Sequence, residues 1–315
     1  KMSKSKGNFF TMRELYERHG ADIVRLTAAS AGEGVEDANY DMTFLETSKR
    51  KLAELAEFIN DHYGKGRTDL LPIDKWFEAM INQSIATATK AMDAKLFKSA
   101  VLASFLDLHR YLKWYTRRTN GKYNKKVINY YIETQLKLLA PLIPHFCEEM
   151  WNTIGGKGYV CNAPWPKAKK VDQKLVGGEL LIEQTMSDIN QVLKLVKVEP
   201  KKITLFIANK WKYTFMEELA KQFKETREFK VIIKNLMKNT VLKSHSKEIA
   251  KMLPRMIKAG SVPSIGNQKL EFTALRAAQD FLKEEYCTVE IIKESDSNEA
   301  KARQAMPGKV AILVE

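Results

Sequence analysis

The sequence predicts a mostly α-helical chain that closes on a small α/β unit, and three observations carry this. Apolar residues recur at three- and four-residue spacing almost without interruption over 48–151. A stretch rich in Gly, Pro and Lys, 155–170, then breaks the period. Beyond it, β-rich runs at 202–208, 288–293 and 309–314 are separated by helical segments. A length of 315 residues allows about two domains, each with a real hydrophobic core.

Residues 1–8, Lys-Met-Ser-Lys-Ser-Lys-Gly-Asn, have neither period. Two ammonium groups three positions apart, set among hydroxyls and followed by Gly7, describe a mobile cationic loop suited to a polyphosphate. Thr11 and Glu14 form a capping box that starts a short helix ending near Gly20. Asp22 is placed to cap a second helix, 23–31, which Gly32 stops. The acidic stretch 33–41 reads as a loop. Leu52, Leu55, Phe58 and Ile59 then share one helix face, and a long run over 74–118 continues the period with a break near Asp93. Further helices are predicted over 124–139, ending before Pro141, and over 144–151. Four or five helices with short connections make a bundle.

After the linker at 155–170, Gly177 and Gly178 precede a helix to about Lys197. The run 202–208 is a strand, and two or three helices follow between Lys210 and Lys258. A loop spans 260–268, a helix covers 272–286, and 288–293 and 309–314 complete a sheet of about three strands.

A hydrophobic content of 44% excludes a disordered chain. No run of eighteen apolar residues and no signal pattern occurs, so the chain reads as soluble, unexported and cytoplasmic, with no membrane partner. Cys147, Cys161 and Cys287 are odd in number and widely spaced, which disfavours a disulfide framework and suits a reducing compartment. His145, Cys147 and Cys161 supply at most three zinc ligands. Cys147 also falls on an apolar helix face, so no metal site is expected.

The net charge of +14 suits a polyanion. Its densest candidate surface is Arg110, Lys113, Arg117, Arg118, Lys122, Lys125 and Lys126, interleaved with Tyr111, Trp114, Tyr115 and Tyr123. Phosphates want the cations, and unstacked bases or sugars want the rings. The same pattern also describes an amphipathic helix whose cations are merely solvated. One face can serve the core while the opposite face serves RNA.

The opening Lys1-Met2-Ser3-Lys4-Ser5 resembles the signature loop of class I aminoacyl-tRNA synthetases. Five specified positions recur by chance about once in ten thousand chains of this length. The resemblance implies that Lys1, Met2, Ser3, Lys4 and Ser5 bind ATP, a substrate expected with Mg2+. It also implies that Lys4 is the catalytic residue, stabilising charge on the leaving pyrophosphate. Gly20-Ala21-Asp22 through Arg25-Leu26 resembles the helix after that loop. Val35-Glu36-Asp37-Ala38-Asn39 looks like leucyl-tRNA synthetases of the archaeal and eukaryotic cytosolic type.

Ala140-Pro141 followed by Pro144-His145 and Glu148-Glu149 is similar to a stretch of the subgroup of Leu, Ile, Val and Met enzymes, in which His145 would be structural. Lys49-Arg50-Lys51-Leu52-Ala53 lacks the Trp- and Asn-rich start of the valyl and isoleucyl enzymes, which favours leucyl. The segments 188–197, 202–205, 211–212 and 307–315 resemble the C-terminal domain of archaeal-type leucyl enzymes. That domain would contact the long variable arm of tRNA(Leu), with Ile312 and Val314 as candidate contacts. The same apolar end also reads as an ordinary buried strand.

The resemblance implies three parts: signature loop and stem-contact segment, 1–47; helical anticodon-binding-type bundle with its linker, 48–170; and α/β C-terminal tRNA-binding domain, 171–315. No His-Ile-Gly-His signature and no parallel nucleotide-binding sheet accompany the loop. The chain is therefore expected to be the C-terminal portion of a larger monomeric enzyme, inactive alone, that takes ATP, leucine and tRNA(Leu). Its end at Glu315 points to an archaeal source. The alternatives are a freestanding tRNA-binding module, the same region of a valyl or isoleucyl enzyme, and a structural role in a synthetase complex.

Overall fold

The computed structural model describes residues 10–35, 38–196, 200–259 and 266–315. The predicted ATP-binding residues Lys1, Met2, Ser3, Lys4 and Ser5, with the catalytic assignment of Lys4, lie outside the described residues. The chain divides into a unit ending at Asp172 and a unit beginning at Gln173.

In the first unit the Thr11 hydroxyl accepts from the Glu14 N–H (3.2 Å) while the Glu14 carboxylate accepts from the Thr11 N–H (2.8 Å). This capping box starts α1 (Met12–His19). α2 spans Ala21–Ser30 and buries Ile23, Val24, Leu26 and Thr27. Asp22 does not cap it as expected, because it already lies inside the helix. Its carboxylate instead accepts from the Phe146 N–H (2.6 Å) and bonds the His145 ring (2.9 Å), capping a helix more than a hundred residues away.

α3 (Met42–His62) begins six residues before its predicted start because Asp41 accepts from the Thr43 N–H at 2.8 Å. It buries Leu45, Leu52, Leu55 and Ile59. α4 (Pro72–Asp93) opens on a proline and stops at the predicted break. α5 (Phe97–Val101), a π-helical stretch (Leu102–Asp107) and α6 (Leu108–Thr119) follow. Asn124 accepts from the N–H groups of Lys126 and Val127 and so caps α7 (Lys125–Leu139), and α8 spans Pro144–Thr153. The bundle core is aromatic: Phe77 stacks on Tyr115 at 4.5 Å and lies 5.4 Å from the buried Tyr131 ring, and Phe105 is buried as well.

The stretch read as a linker is held against this bundle. Glu148 accepts from the backbone of Val160 and Cys161, the Trp165 indole donates to Thr89 (2.8 Å), and the Lys169 N–H donates to Asn82 (2.8 Å). Gly and Pro composition reports that a segment is irregular, not whether distant side chains receive it.

In the second unit α9 (Gln173–Val196) starts earlier than predicted and carries Gly177 and Gly178 inside it. Gly178 permits close packing: a Cβ there would lie 3.1 Å from Cβ of Ala274, on the facing helix α14 (Gln268–Ala277). β1 (Lys202–Ile207) is followed by four short helices rather than two or three. They are α10 (Lys210–Gln222), α11 (Phe229–Leu236), α12 (Thr240–Lys243) and α13 (Ser246–Ala259). The predicted helix 272–286 is two, α14 and α15 (Gln279–Glu285), before β2 (Thr288–Lys293) and β3 (Ala311–Val314).

The sheet order is β2-β1-β3, with β1 parallel to β2 and antiparallel to β3. β1 is central and buried from Ile203 to Ile207, which is why apolar residues fill both its faces, with Thr204 the one polar side chain among them, rather than alternating with polar ones. Buried Lys212 donates to Glu294 and to the carbonyls of Arg303 and Ala305, so its charge is paired and its donors are used.

Candidate nucleic-acid interface

α6 has two faces. Leu108, Tyr111, Leu112 and Tyr115 are buried, and Arg110, Lys113 and Arg117, three and four positions apart, are exposed on the opposite side. The Arg110 guanidinium lies 4.7 Å from the Tyr111 ring centre and donates to Asp107 at 3.0 Å. That of Arg117 lies 5.9 Å from the Trp114 ring. Arg118 is half-buried at the helix end, and Lys122, Lys125 and Lys126 are exposed on the turn after α6 and the first turn of α7. The first turn of α7 holds no acidic residue. Lysines therefore crowd the positive end of a helix dipole, an arrangement that favours an anion.

A buried network sets the shape of this surface. Asp74, in the first turn of α4, has no solvent exposure. Both its oxygens accept from the Arg67 guanidinium (2.8 and 2.6 Å), and it also accepts from the Leu71 N–H (2.6 Å) and the Tyr115 hydroxyl (2.5 Å). Burial, and then the bond to Asp74, pushes the Tyr115 phenol well above its ordinary value. The Tyr115 oxygen in turn accepts from the Asn124 N–H, at the cap of α7 (3.0 Å).

Arg67 completes the brace. Its Nε donates to the Lys122 carbonyl, its N–H to the Tyr123 carbonyl, and its own carbonyl accepts from the Lys125 N–H, each at 2.9 Å. The two strips of backbone approach closely because residue 66 is glycine, with φ at +121°. A Cβ there would lie 2.6 Å from the Tyr123 carbonyl oxygen. Beside them a cleft of about 340 Å³ is lined by His62, Lys65, Arg67, Lys122 and Tyr123.

The structure brings two cations of α3, Arg50 and Lys51, to the side of α6, where linear reading did not place them. His109 of α6 lies 3.9 Å from Glu54 of α3, which Arg50 also approaches at 3.7 Å. Burial, then nearby Lys51, lowers the basicity of His109, with Lys113 and Arg50 adding to the effect. Lys51 is itself held below the ordinary lysine range, first by burial. The basic surface thus extends from α6 onto α3. Arg50 and Lys51 stand about sixty positions from His109 and Lys113, so no local pattern links them.

The other candidates lie elsewhere. Ile312 is buried on β3 opposite Leu205, and Val314 is half-buried opposite Ile203. His145 is tied to Asp22, Cys147 is buried with its thiol raised well above the usual range by burial, and Cys161 is exposed. Among the described residues, no three His, Cys, Asp or Glu side chains gather where they could hold a metal. No helix among them is long and apolar enough to cross a membrane.

Residues 74–205 match the family described as the anticodon-binding domain of tRNA ligase. The whole chain is similar to the leucine-tRNA ligase of Pyrococcus abyssi, at 34% identity over 33% of that protein, and to that of Methanocaldococcus jannaschii, at 32% over 33%. The chain thus spans about a third of the length of the curated relatives it matches. A solved ternary complex of a LeuRS with tRNA and LeuAMS from Agrobacterium radiobacter K84 superposes with a TM-score of 0.46 at 19% identity, covering 66% of this chain and 24% of that one.

Proposed function

Because the chain is homologous to the C-terminal, tRNA-binding part of leucine-tRNA ligases, we propose that it holds tRNA(Leu) for such an enzyme, with the exposed face of α6 and the turn into α7 on the RNA phosphates. The observation that supports this most is the electropositive start of α7, where Lys122, Lys125 and Lys126 add to the dipole. Arg110, Lys113, Arg117 and Arg118 extend the cationic track along α6, and Trp114 offers a ring beside it. The Asp74–Arg67–Tyr115 network keeps helix and turn in fixed register, so the backbone that carries these charges needs no further ordering on binding.

In the whole enzyme, leucine is activated by ATP, which brings Mg2+ with it as part of the substrate, and is then passed to the tRNA. Lys1, Met2, Ser3 and Ser5 hold the triphosphate, and Lys4 aims its charge at the pyrophosphate as it leaves. The enzyme works as a cytoplasmic monomer.

Two measurements test this reading. Charge reversal at Arg117 and Arg118 should weaken tRNA binding whatever the RNA sequence, because phosphate contacts position the RNA without specifying it. Unchanged affinity in a salt titration would remove α6 from the interface. Lys4→Ala in the full-length enzyme should slow leucine-dependent ATP-pyrophosphate exchange by about a hundredfold, with leucine binding little changed. Exchange at the unmodified rate would take Lys4 out of the chemistry.

A further inference from the structure

The second unit carries a separate concentration of charge. Residues 221–258 hold eleven lysines and arginines against three glutamates, a net of +8 within a chain of net +14. Nothing in the first unit's track accounts for it. α13 organises part of this charge. Ile249 and Leu253 are fully buried against Phe215, Leu219, Ile232 and Leu236. Lys247, Lys251, Arg255 and Lys258 recur every three or four positions along the exposed side.

Steps of four residues place Lys247, Lys251 and Arg255 about 6 Å apart along the helix axis. That is close to the spacing of successive phosphates on one strand. Among the described residues none of the four makes an ion pair with a carboxylate, although Lys221, Lys202 and Lys283 of the same unit all do. A helix whose cations were present only for solubility would mix both signs at i, i+4 spacing, since a like-charge pair there costs stability.

We infer that the exposed face of α13 is an RNA surface that tracks a phosphate backbone without reading its sequence. The occupant follows from charge complementarity: a row of unpaired cations at this pitch needs a linear polyanion. The inference rests on the reading of the chain as tRNA-binding. It adds a contact surface in the second unit distinct from the apolar end of β3.

The test uses the full chain, a long-arm tRNA(Leu) transcript, and binding measured by anisotropy from 50 to 300 mM KCl. Replacing Lys247, Lys251 and Arg255 by Gln should weaken binding roughly tenfold or more near 100 mM salt. It should also flatten the slope of log affinity against log salt by about 2 to 3, the share of three released phosphate contacts. All three positions are exposed, so thermal unfolding should not change. Should the triple variant fail to fold, single Gln substitutions should each flatten the slope by about 0.7 to 0.9.

An unchanged slope in folded variants, with binding still sensitive to charge reversal at Arg117 and Arg118, overturns this inference and leaves the proposed function standing. An intact chain that binds no tRNA at low salt overturns both. Loss of binding to phosphatidylserine vesicles with tRNA binding unchanged assigns the face to a membrane and overturns it as well.

Discussion

Four donors converge on the carboxylate of Asp74: two from the Arg67 guanidinium, one from the Leu71 backbone and one from the Tyr115 hydroxyl. The side chain has no exposed surface, so every interaction it loses leaves a buried polar group behind. Asp74→Asn keeps the shape but turns an N–H toward a donor whichever way the amide is placed. It should cost about 3 to 5 kcal/mol of stability, read in denaturant unfolding, because it breaks a buried ion pair from one side. Replacing both partners, Asp74→Leu with Arg67→Met, should recover only part of that loss, because the buried Tyr115 hydroxyl and Leu71 N–H still lose their acceptor. An Asp74→Asn chain as stable as the parent would show that the network holds nothing together. In the sequence Asp74 marks only the start of a helical run, and its Tyr115 partner stands 41 positions away.

At the scale of elements, β3 is where folding and RNA contact make different demands. The Glu315 carbonyl accepts from the N–H groups of Lys201 and Lys202, and the Glu315 N–H donates back to Lys202. The end of the strand is thereby paired to β1, with Val314 opposite Ile203. Deleting Val314 and Glu315 should lower the unfolding temperature, because three backbone hydrogen bonds and one cross-strand pair are lost together. The companion measurement is affinity for tRNA(Leu) with and without its long arm. Unfolding that is unaffected, with loss confined to the long-arm tRNA, would make this end an RNA contact rather than a structural strand. The helices show what local pattern can and cannot give. The capping box at Thr11 was visible as residue types at a fixed offset, whereas the helices read from 124 and 74 in fact begin at Lys125, capped by Asn124, and at Pro72. The division of 272–286 into α14 and α15 was not, because Ala278 carries no breaking signal.

At the scale of the whole molecule, the charge that first suggested a polyanion is concentrated rather than spread. It lies along α6 and the start of α7 in one unit and along α13 in the other, each opposite a buried apolar face. The sequence by itself determined the types of most elements and the helical majority with its late three-stranded sheet. Periodicity and caps are properties of neighbouring residues, so one sequence suffices to read them. Only the tertiary structure decided that Asp22 caps α8 instead of its own helix, that 155–170 is fastened to α4, and that Arg50, Lys51 and His109 join the α6 surface. Those relations link residues from about 60 to 124 positions apart. They depend on which helix faces pack together, and packing many apolar side chains at once chooses those faces where no local spacing does.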